Sequence, residues 1–460
     1  MRFSIRAFLS VLVCRLLRGL CRLMHRGGTA MPGRVASKIC PELLSLLSGN
    51  VSCIVVTGTN GKTTTCRIIE ETLRNSGLDY FSNRSGANLM SGIVTEFALN
   101  CSLFGHMKKH YAVIECDEAA ARTVFGKLQP HTIAVTNLFR DQLDRYGEIT
   151  HTLSNIREGV RACPDAILCL NADCSLTSSL SDGELPNPVV WYGIDASTGF
   201  HAAAPSQSDA GYCIRCKHEY QYDYRTYAHL GGFRCPNCGY SRHPADFAIR
   251  EILHMDDNGS RVRFHGSWGE SDVSINLPAV YNLYNAAAAV CGCVSFGMNP
   301  EVCLSSVAQF DCGFGRMEHF ALGQSGARMI LVKNPTGCTQ ALSYLAGITS
   351  PFVLAVCLND RSADGTDVSW IWDADFEMLR SSAEKIMRIY VSGDRGPDMR
   401  LRLKYAGLED SRMQLVQTPS ELASSLQCES LPIFILPTYT AMLELRSAIV
   451  KLCGGSEFWE

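Results

Sequence analysis

The stretch Thr57-Gly58-Thr59-Asn60-Gly61-Lys62-Thr63-Thr64-Thr65 combines residue types that handle phosphate, at a workable spacing. Glycines let a backbone fold tightly enough for several amide N–H groups to converge on phosphate oxygens. Lys62 supplies a point charge to the outer phosphates, and the Thr63 hydroxyl is placed to bind Mg²⁺. The spacing, Gly-x-x-Gly-Lys-Thr, is shorter than the general phosphate-loop pattern, so the flanking elements must carry part of the argument.

A second constellation is Cys213-x-x-Cys216 and Cys235-x-x-Cys238, with 18 residues between the pairs. Two such knuckles hold Zn²⁺ tetrahedrally as a zinc ribbon. Gly231-Gly232, Pro236-Asn237 and Gly239 permit the tight turns that thiolate knuckles need. A closed four-cysteine site leaves no position for water, which favours a structural role over a catalytic one. The ribbon carries only a few basic residues (Arg215, Lys217, Arg225, Arg234, Arg242), a poor footprint for nucleic acid. A third cluster is the run Asp360, Asp364, Asp367 and Asp373, with Trp370 and Trp372 among the carboxylates.

The elements that must position these groups can be read from pattern. Val51–Val56 is a β-branched strand entering the phosphate loop, and a helical run follows over Thr64–Asn75. Strand-like segments recur at Tyr111–Glu115, His131–Thr136 and Ala166–Leu170, with helical patterns between them. That alternation predicts a parallel sheet covered on both faces. Composition turns polar, aromatic and Cys/Gly-rich around residues 196–240, as expected of an insertion. Short strands return at Ala248–Leu253, Arg261–Phe264 and Asp272–Leu277, then a helix over Asn282–Phe296. A second α/β block has strands at Met329–Val332, Phe352–Cys357, Lys385–Val391 and Ile433–Leu436.

The 460 residues suffice for two or three domains, and 46% apolar with 19% charged residues excludes a disordered or fibrous chain. A net charge of −3 removes any whole-chain electrostatic case for nucleic-acid binding. Most of the 22 cysteines are scattered through apolar segments, where they act as small hydrophobes in a reducing compartment. At the N-terminus, Arg15, Arg18, Arg22 and Arg26 share one helical stripe, with Leu16, Leu17, Leu20, Leu23 and Met24 largely elsewhere. Two readings fit: a basic helix at an anionic membrane surface, or a domain-packing helix with a solvated face.

Gly58-Thr59-Asn60-Gly61-Lys62-Thr63-Thr64 resembles the nucleotide loop of the Mur ligase superfamily. Further matches follow in order: Val113-Ile114-Glu115, the Thr136-Asn137 to Asp144 run, Tyr281-Asn282-Leu283-Tyr284-Asn285-Ala286, and Gly315-Arg316-Met317-Glu318. The resemblance covers roughly residues 50–460. It implies ATP and Mg²⁺ as cofactors, with Gly58, Asn60, Gly61, Lys62, Thr63 and Thr64 around the phosphates. Thr63 and Glu115 would share Mg²⁺, Asn285 would hold the adenine, and Arg316 would reach the nucleotide from the second domain. Glu118 is more weakly placed.

Departures narrow this picture. Gln142 stands where amino-acid-adding members usually have His, and no lysine occurs near Asn155-Ile156-Arg157, where they carry a carbamylated one. Lys333-Asn334-Pro335-Thr336-Gly337 replaces the motif that handles the incoming amino acid. With the ribbon insertion and Asp364-Gly365-Thr366-Asp367-Val368-Ser369-Trp370, the chain resembles the superfamily's amidating branch, the ligase subunits of lipid II isoglutaminyl synthases. The resemblance implies a heterodimer with a GatD-like glutaminase subunit, lipid II as substrate, cytoplasmic action and no nucleic acid. It also implies that Asp367 completes the partner's catalytic site, with Asp360 as runner-up. The expected fold is α/β: a Mur ligase-like central ATPase domain at 46–312 with a zinc ribbon at about 205–245, after a lead-in at 1–45. A Rossmann-like domain at 313–460 would follow. A free-standing Mur-type amino-acid ligase and a non-catalytic zinc-ribbon ATP-binding regulator remain as alternatives.

Overall fold

The computed structural model describes residues 4–24, 28–83, 87–140, 149–183, 185–199, 209–256, 259–310 and 316–453, with Arg316 described by its backbone alone. The chain divides into two compact units, residues 1–139 with 149–310, and residues 140–148 with 311–460.

The first unit is built on strands β1 (Ser52–Thr57), β2 (Tyr80–Ser82), β3 (Tyr111–Glu115), β4 (Thr132–Val135), β5 (Ile167–Asn171) and β6 (Val189–Ile194). A hairpin of β7 (Gln221–Tyr227) and β8 (Leu230–Arg234) stands apart, and β9 (Phe247–Met255), β10 (Ser260–Gly266) and β11 (Gly269–Ile275) complete the unit. The main sheet runs β11-β10-β9-β6-β5-β4-β1-β3-β2. From β2 to β9 its pairings are parallel, and β9, β10 and β11 form an antiparallel meander at one edge. The central strands are apolar on both faces, as a sheet covered by helices on both sides demands. Because β3 and β4 flank β1 on opposite sides, the carboxyl end of β1 is the switch point where such sheets bind ligands.

The second unit has β12 (Arg316–Phe320), β13 (Ala327–Ile330), β14 (Phe352–Cys357), β15 (Ile386–Ser392), β16 (Met413–Leu415) and β17 (Ile433–Pro437), in the order β12-β13-β17-β14-β15-β16. Only the β12–β13 pairing is antiparallel. Two apolar clusters cover its faces, one around Phe352, Leu354 and Phe376, the other around Val353, Ala355 and Leu445.

The N-terminal helix Ile5–Leu23 departs from the expected solvated basic face. Ala7, Ser10, Val11, Cys14 and Cys21 are buried, and the helix packs on Met31–Ile39 and Met90–Leu99. Arg15 turns inward, its Nε donating to the Ala98 carbonyl at 3.1 Å and its Nη2 to that of Cys101. Small side chains allow this close approach, and the carbonyls ending Met90–Leu99 offer an arginine acceptors that the helix itself does not satisfy.

Candidate functional site

β1 delivers the chain into the phosphate loop, and Gly61 caps the helix Lys62–Asn75 in a left-handed conformation at φ 86°. A side chain there is excluded twice, since a Cβ would lie 2.0 Å from Asn285 Oδ1. At Gly58, φ 120°, a Cβ would meet Thr136 Oγ1 at 2.3 Å. The loop is held from β4: Asn137 Oδ1 accepts from the Asn60 N–H at 2.9 Å, and Asn137 Nδ2 donates to the Asn60 carbonyl at 3.1 Å. Thr59 Oγ1 accepts from the Phe139 N–H at 3.1 Å. A tight loop clamped this way presents the first helical turn, whose N–H groups lack intrahelical partners, to an anion.

Lys62 and Thr64 are buried in that first turn. Lys62 Nζ donates to the Gly58 carbonyl, to Thr59 O at 3.3 Å and to Glu118 Oε2 at 2.9 Å. Burial works against its charge, but Glu118, Asp117 and Glu115 outweigh burial and hold the ammonium above the ordinary lysine range. Thr63 Oγ1 donates to Glu115 Oε2 at 2.7 Å, so the hydroxyl and carboxylate expected to share Mg²⁺ are already adjacent. Glu115 is oriented by Asn88 Nδ2, 3.4 Å from Oε1, and its backbone is bracketed by Asn83. One carboxylate and one hydroxyl, both oxygen donors, fit a hard cation that bridges phosphates.

Asn285 sits on the helix Val280–Ser295, only 4% exposed, against Gly61. Its Nδ2 donates to Asn282 Oδ1 at 3.1 Å, and its carbonyl accepts from Thr65 Oγ1 at 3.4 Å. The structure thus joins the loop, Glu115 and Asn285. The Arg316 side chain and Gln142 lie outside the described residues. Glu118, an acidic residue in a helix's first turn behind the cap Asp117, reads in the sequence as ordinary end chemistry, yet the fold brings it to Lys62. Asn83 and Asn88 carry no sequence signal, because only the fold brings them to Glu115. The positions where a carbamylated lysine was missing serve packing: Asn155 and Ile156 are buried, and Arg157 donates to Ser179 O at 2.7 Å.

The four ribbon cysteines gather with all sulfur atoms within 4.8 Å of one another. Cys213 lies 3.6 Å from Cys238, and Cys216 lies 3.4 Å from Cys235. Hydrogen bonds from the Asn237 side chain and the His218 backbone pull Cys216 down to about 6. Four cysteine sulfurs gathered this closely form a tetrahedral-type donor set that fits Zn²⁺. The ribbon is tied to the sheet through Asp173, which is fully buried. Arg242 Nε donates to Asp173 Oδ1 at 2.6 Å, and the Tyr284 hydroxyl donates to Oδ2 at 2.6 Å. Thr226 of β7 meets the same tyrosine hydroxyl at 2.6 Å, one residue before Asn285.

In the second unit the aspartates of the loop after β14 take different roles. Asp364 is buried and accepts from the Thr440 N–H at 2.6 Å and from its hydroxyl. Asp360 faces Arg395 at 3.4 Å, and Asp373 faces Arg140 at 2.9 Å. Asp367 is half-buried and accepts from the Ser369 N–H at 2.8 Å; bonds from the Ser369 side chain and backbone hold its carboxyl below the usual range. Trp370 is buried while Trp372 is exposed, edge-on to the exposed Tyr405 at 5.6 Å.

The fold recurs among solved structures. MurF from Acinetobacter baumannii matches with a TM-score of 0.66 at 17% identity, over 92% of this chain and 81% of that one. A pseudomurein peptide ligase type C from Methanothermus fervidus matches with a TM-score of 0.63 at 18% identity, over 90% and 81%. Fold and phosphate loop together define a Mur ligase-type protein, and the Mur ligase middle domain model matches residues 56–238. The MurT ligase C-terminal model matches residues 331–442. The lipid II isoglutaminyl synthase (glutamine-hydrolyzing) subunit MurT of Streptococcus pneumoniae (strain ATCC BAA-255 / R6) is 33% identical, over 92% of this chain and 93% of its own. That of Staphylococcus aureus (strain COL) is 33% identical, over 98% and 100%. The chain belongs to the MurT family.

Proposed function

We propose that this chain is the ATP-dependent ligase subunit that converts the D-glutamate α-carboxylate of the lipid II stem peptide to D-isoglutamine, with ammonia from a GatD-like glutaminase subunit. A carboxylate oxygen attacks the γ-phosphorus of ATP, ADP leaves, and an acyl phosphate forms. Ammonia then attacks the acyl carbon, inorganic phosphate leaves, and the nitrogen sheds a proton to solvent. Phosphoryl transfer asks mainly for positioning and charge neutralisation. Lys62 supplies charge at the phosphates, the loop amides orient them, and Thr63 with Glu115 would hold Mg²⁺. Bound there, Mg²⁺ would neutralise phosphate charge as it shifts to the leaving group. Asn285 and Arg316 are the further nucleotide contacts, and the ribbon cysteines hold zinc for structure.

The observation that carries this reading is an asymmetry. Lys62, Thr63 and Glu115 converge at one strand end, while the positions expected to hold an amino-acid ligase's lysine are packed and lysine-free. The loop lysine, hydroxyl and carboxylate of the activating half stand together while the amino-acid half is altered, which suits ammonia as nucleophile. The reaction belongs at the cytoplasmic face of the membrane, where the substrate's lipid resides. The test is amidation of lipid II by the chain co-purified with its glutaminase subunit, followed by mass spectrometry with glutamine as sole nitrogen source. Amidation that needs both ATP and glutamine is expected. Addition of a free amino acid instead would overturn the reading.

A further inference from the structure

One long face of the helix Ile5–Leu23 is apolar and turned to solvent. Ile5, Leu9, Leu16, Leu20, Leu23 and the following Met24 are between 45% and 81% exposed. At 3.6 residues per turn these positions form one stripe along the helix, about 28 Å long, opposite the buried face of Ala7, Cys14 and Cys21. Single exposed leucines need no explanation, but a continuous row of them does. Phe104, exposed and 5.7 Å from the ring of Phe8, widens the apolar surface beside the helix's first half.

Charge is a second, independent observation. The first 41 residues hold eight of the chain's 42 basic residues and none of its 45 acidic ones, leaving the remainder at net −11. Arg6 flanks the stripe on one side and Arg22 on the other, and both are exposed. Arg34 and Lys38 are exposed on the neighbouring helix Met31–Ile39. No described helix is long and apolar enough to cross a membrane.

We propose that this face is a membrane-docking surface that lays the helix in the plane of an anionic bilayer. The leucine stripe enters the boundary between headgroups and acyl chains, and the flanking arginines reach lipid phosphates. This deepens the reading of a lipid-borne substrate and rests on it for its purpose, though not for its physics. An apolar stripe with arginines on both flanks is the pattern of an interfacial helix, and Glu96 of the helix Met90–Leu99, the acid that acts on Arg22, is half-buried rather than on the exposed face. An anionic surface is what a local excess of positive charge selects.

The test is flotation of the chain with phosphatidylglycerol vesicles, compared with phosphatidylcholine vesicles and with raised salt. Binding is expected to phosphatidylglycerol, weaker at high salt and weaker on phosphatidylcholine. Leu16→Glu/Leu20→Glu should reduce it about tenfold or more, since two leucines lose their apolar burial, while the melting temperature holds. Arg6→Ser/Arg22→Ser is a second probe that leaves the stripe intact and should abolish the preference for anionic vesicles. Undiminished binding by both variants overturns the proposal. So does a wild-type chain that ignores vesicles but self-associates, or binds its glutaminase subunit, through the same leucines. Amidation of a lipid-free stem peptide separates this from the functional reading. Flotation without any amidation sinks only the function, and amidation without flotation sinks only the docking surface.

Discussion

Lys62 Nζ lies 2.9 Å from Glu118 Oε2, and both side chains are buried, 7% and 6% exposed. The ammonium proposed to serve phosphate is thus held by a carboxylate from the end of a neighbouring strand-to-helix turn. Removing Lys62 takes away the ammonium that Glu118, Asp117 and Glu115 share, at a cost of about 3–5 kcal/mol. Lys62→Ala should therefore lower the melting temperature and cut ATP turnover by about a hundredfold or more. The double variant Lys62→Ala/Glu118→Gln should recover stability but no turnover. Glu118→Gln alone should be stabilised by Mg-ATP more than the wild type is, because phosphate supplies the missing anion. Because the folded lysine is held above its ordinary value of about 10.4, the pair's stabilisation is complete below that pH and is lost only as pH rises through the folded value. Thermal melts of wild type and Lys62→Ala between pH 6 and 9 should keep a constant separation from this source. A normal turnover number in Lys62→Ala would remove the loop from the nucleotide assignment.

The ribbon should respond to two changes in different ways. Cys235→Ser removes a ligand and should lose about one zinc per chain together with melting temperature, because binding and local folding are linked. Arg242→Ala keeps the ligands but strands the buried Asp173, again at a cost of about 3–5 kcal/mol. Metal analysis beside thermal melts separates them: both variants melt early, and only the first is zinc-depleted. Zinc loss without any thermal change would mean that the ribbon is not a structural element.

Much of this site is legible in the sequence because it is local. Strand, loop and helix succeed one another over Ser52–Asn75, and glycine, lysine and threonine sit at fixed offsets inside one turn. Strands β2 and β16 span only three residues each, too short for any period to register. β6, unexpected from pattern, follows Pro186 and Pro188, and its first half is only partly buried, so no clean alternation marks it. The N-terminal helix teaches a different lesson. A helical wheel identifies residues that share a face, but tertiary partners decide which face is covered. Here Ala7 and Cys14 admit close neighbours and Arg15 finds open carbonyls, so the leucines are left outside. Glu118, Asn83 and Asn88 reach the site only through strand order, which no spacing encodes.

Magnesium dependence tests the Thr63–Glu115 pair. Glu115→Gln keeps shape but loses the charge that a hard cation needs, so ATP turnover should require far more Mg²⁺ and recover only partly at saturation. Asn88→Ala leaves the ligand in place and removes its orienting donor, and should raise the Mg²⁺ requirement about tenfold. Titrating Mg²⁺ at fixed ATP measures both. Identical titrations in wild type and Glu115→Gln would place the metal elsewhere.

Of Asp360, Asp364, Asp367 and Asp373, only Asp367 faces neither an arginine nor Thr440 among the described residues. Asp364 is consumed by the Thr440 backbone and hydroxyl, so Asp364→Asn should chiefly cost stability. Asp360 and Asp373 each face an arginine. Asp367 has no cationic partner among the described residues, keeps its carboxyl ionised through Ser369, and remains half-exposed. A glutaminase cysteine–histidine pair needs a third group that fixes the imidazole tautomer and stabilises its positive charge. An ionised, pre-oriented carboxylate on the loop that leads into Trp372, itself exposed and edge-on to Tyr405, suits that task, since paired aromatics of this kind anchor protein interfaces. Asp367→Asn should leave complex formation and ATP binding unchanged while reducing glutamine hydrolysis by about a thousandfold. Ammonium chloride supplied in place of glutamine should restore amidation, because the phosphate site in the other unit is untouched. Glutaminase activity at the wild-type rate in Asp367→Asn would shift the role to Asp360, and loss with ammonia as well would show that the substitution damages the ligase half instead.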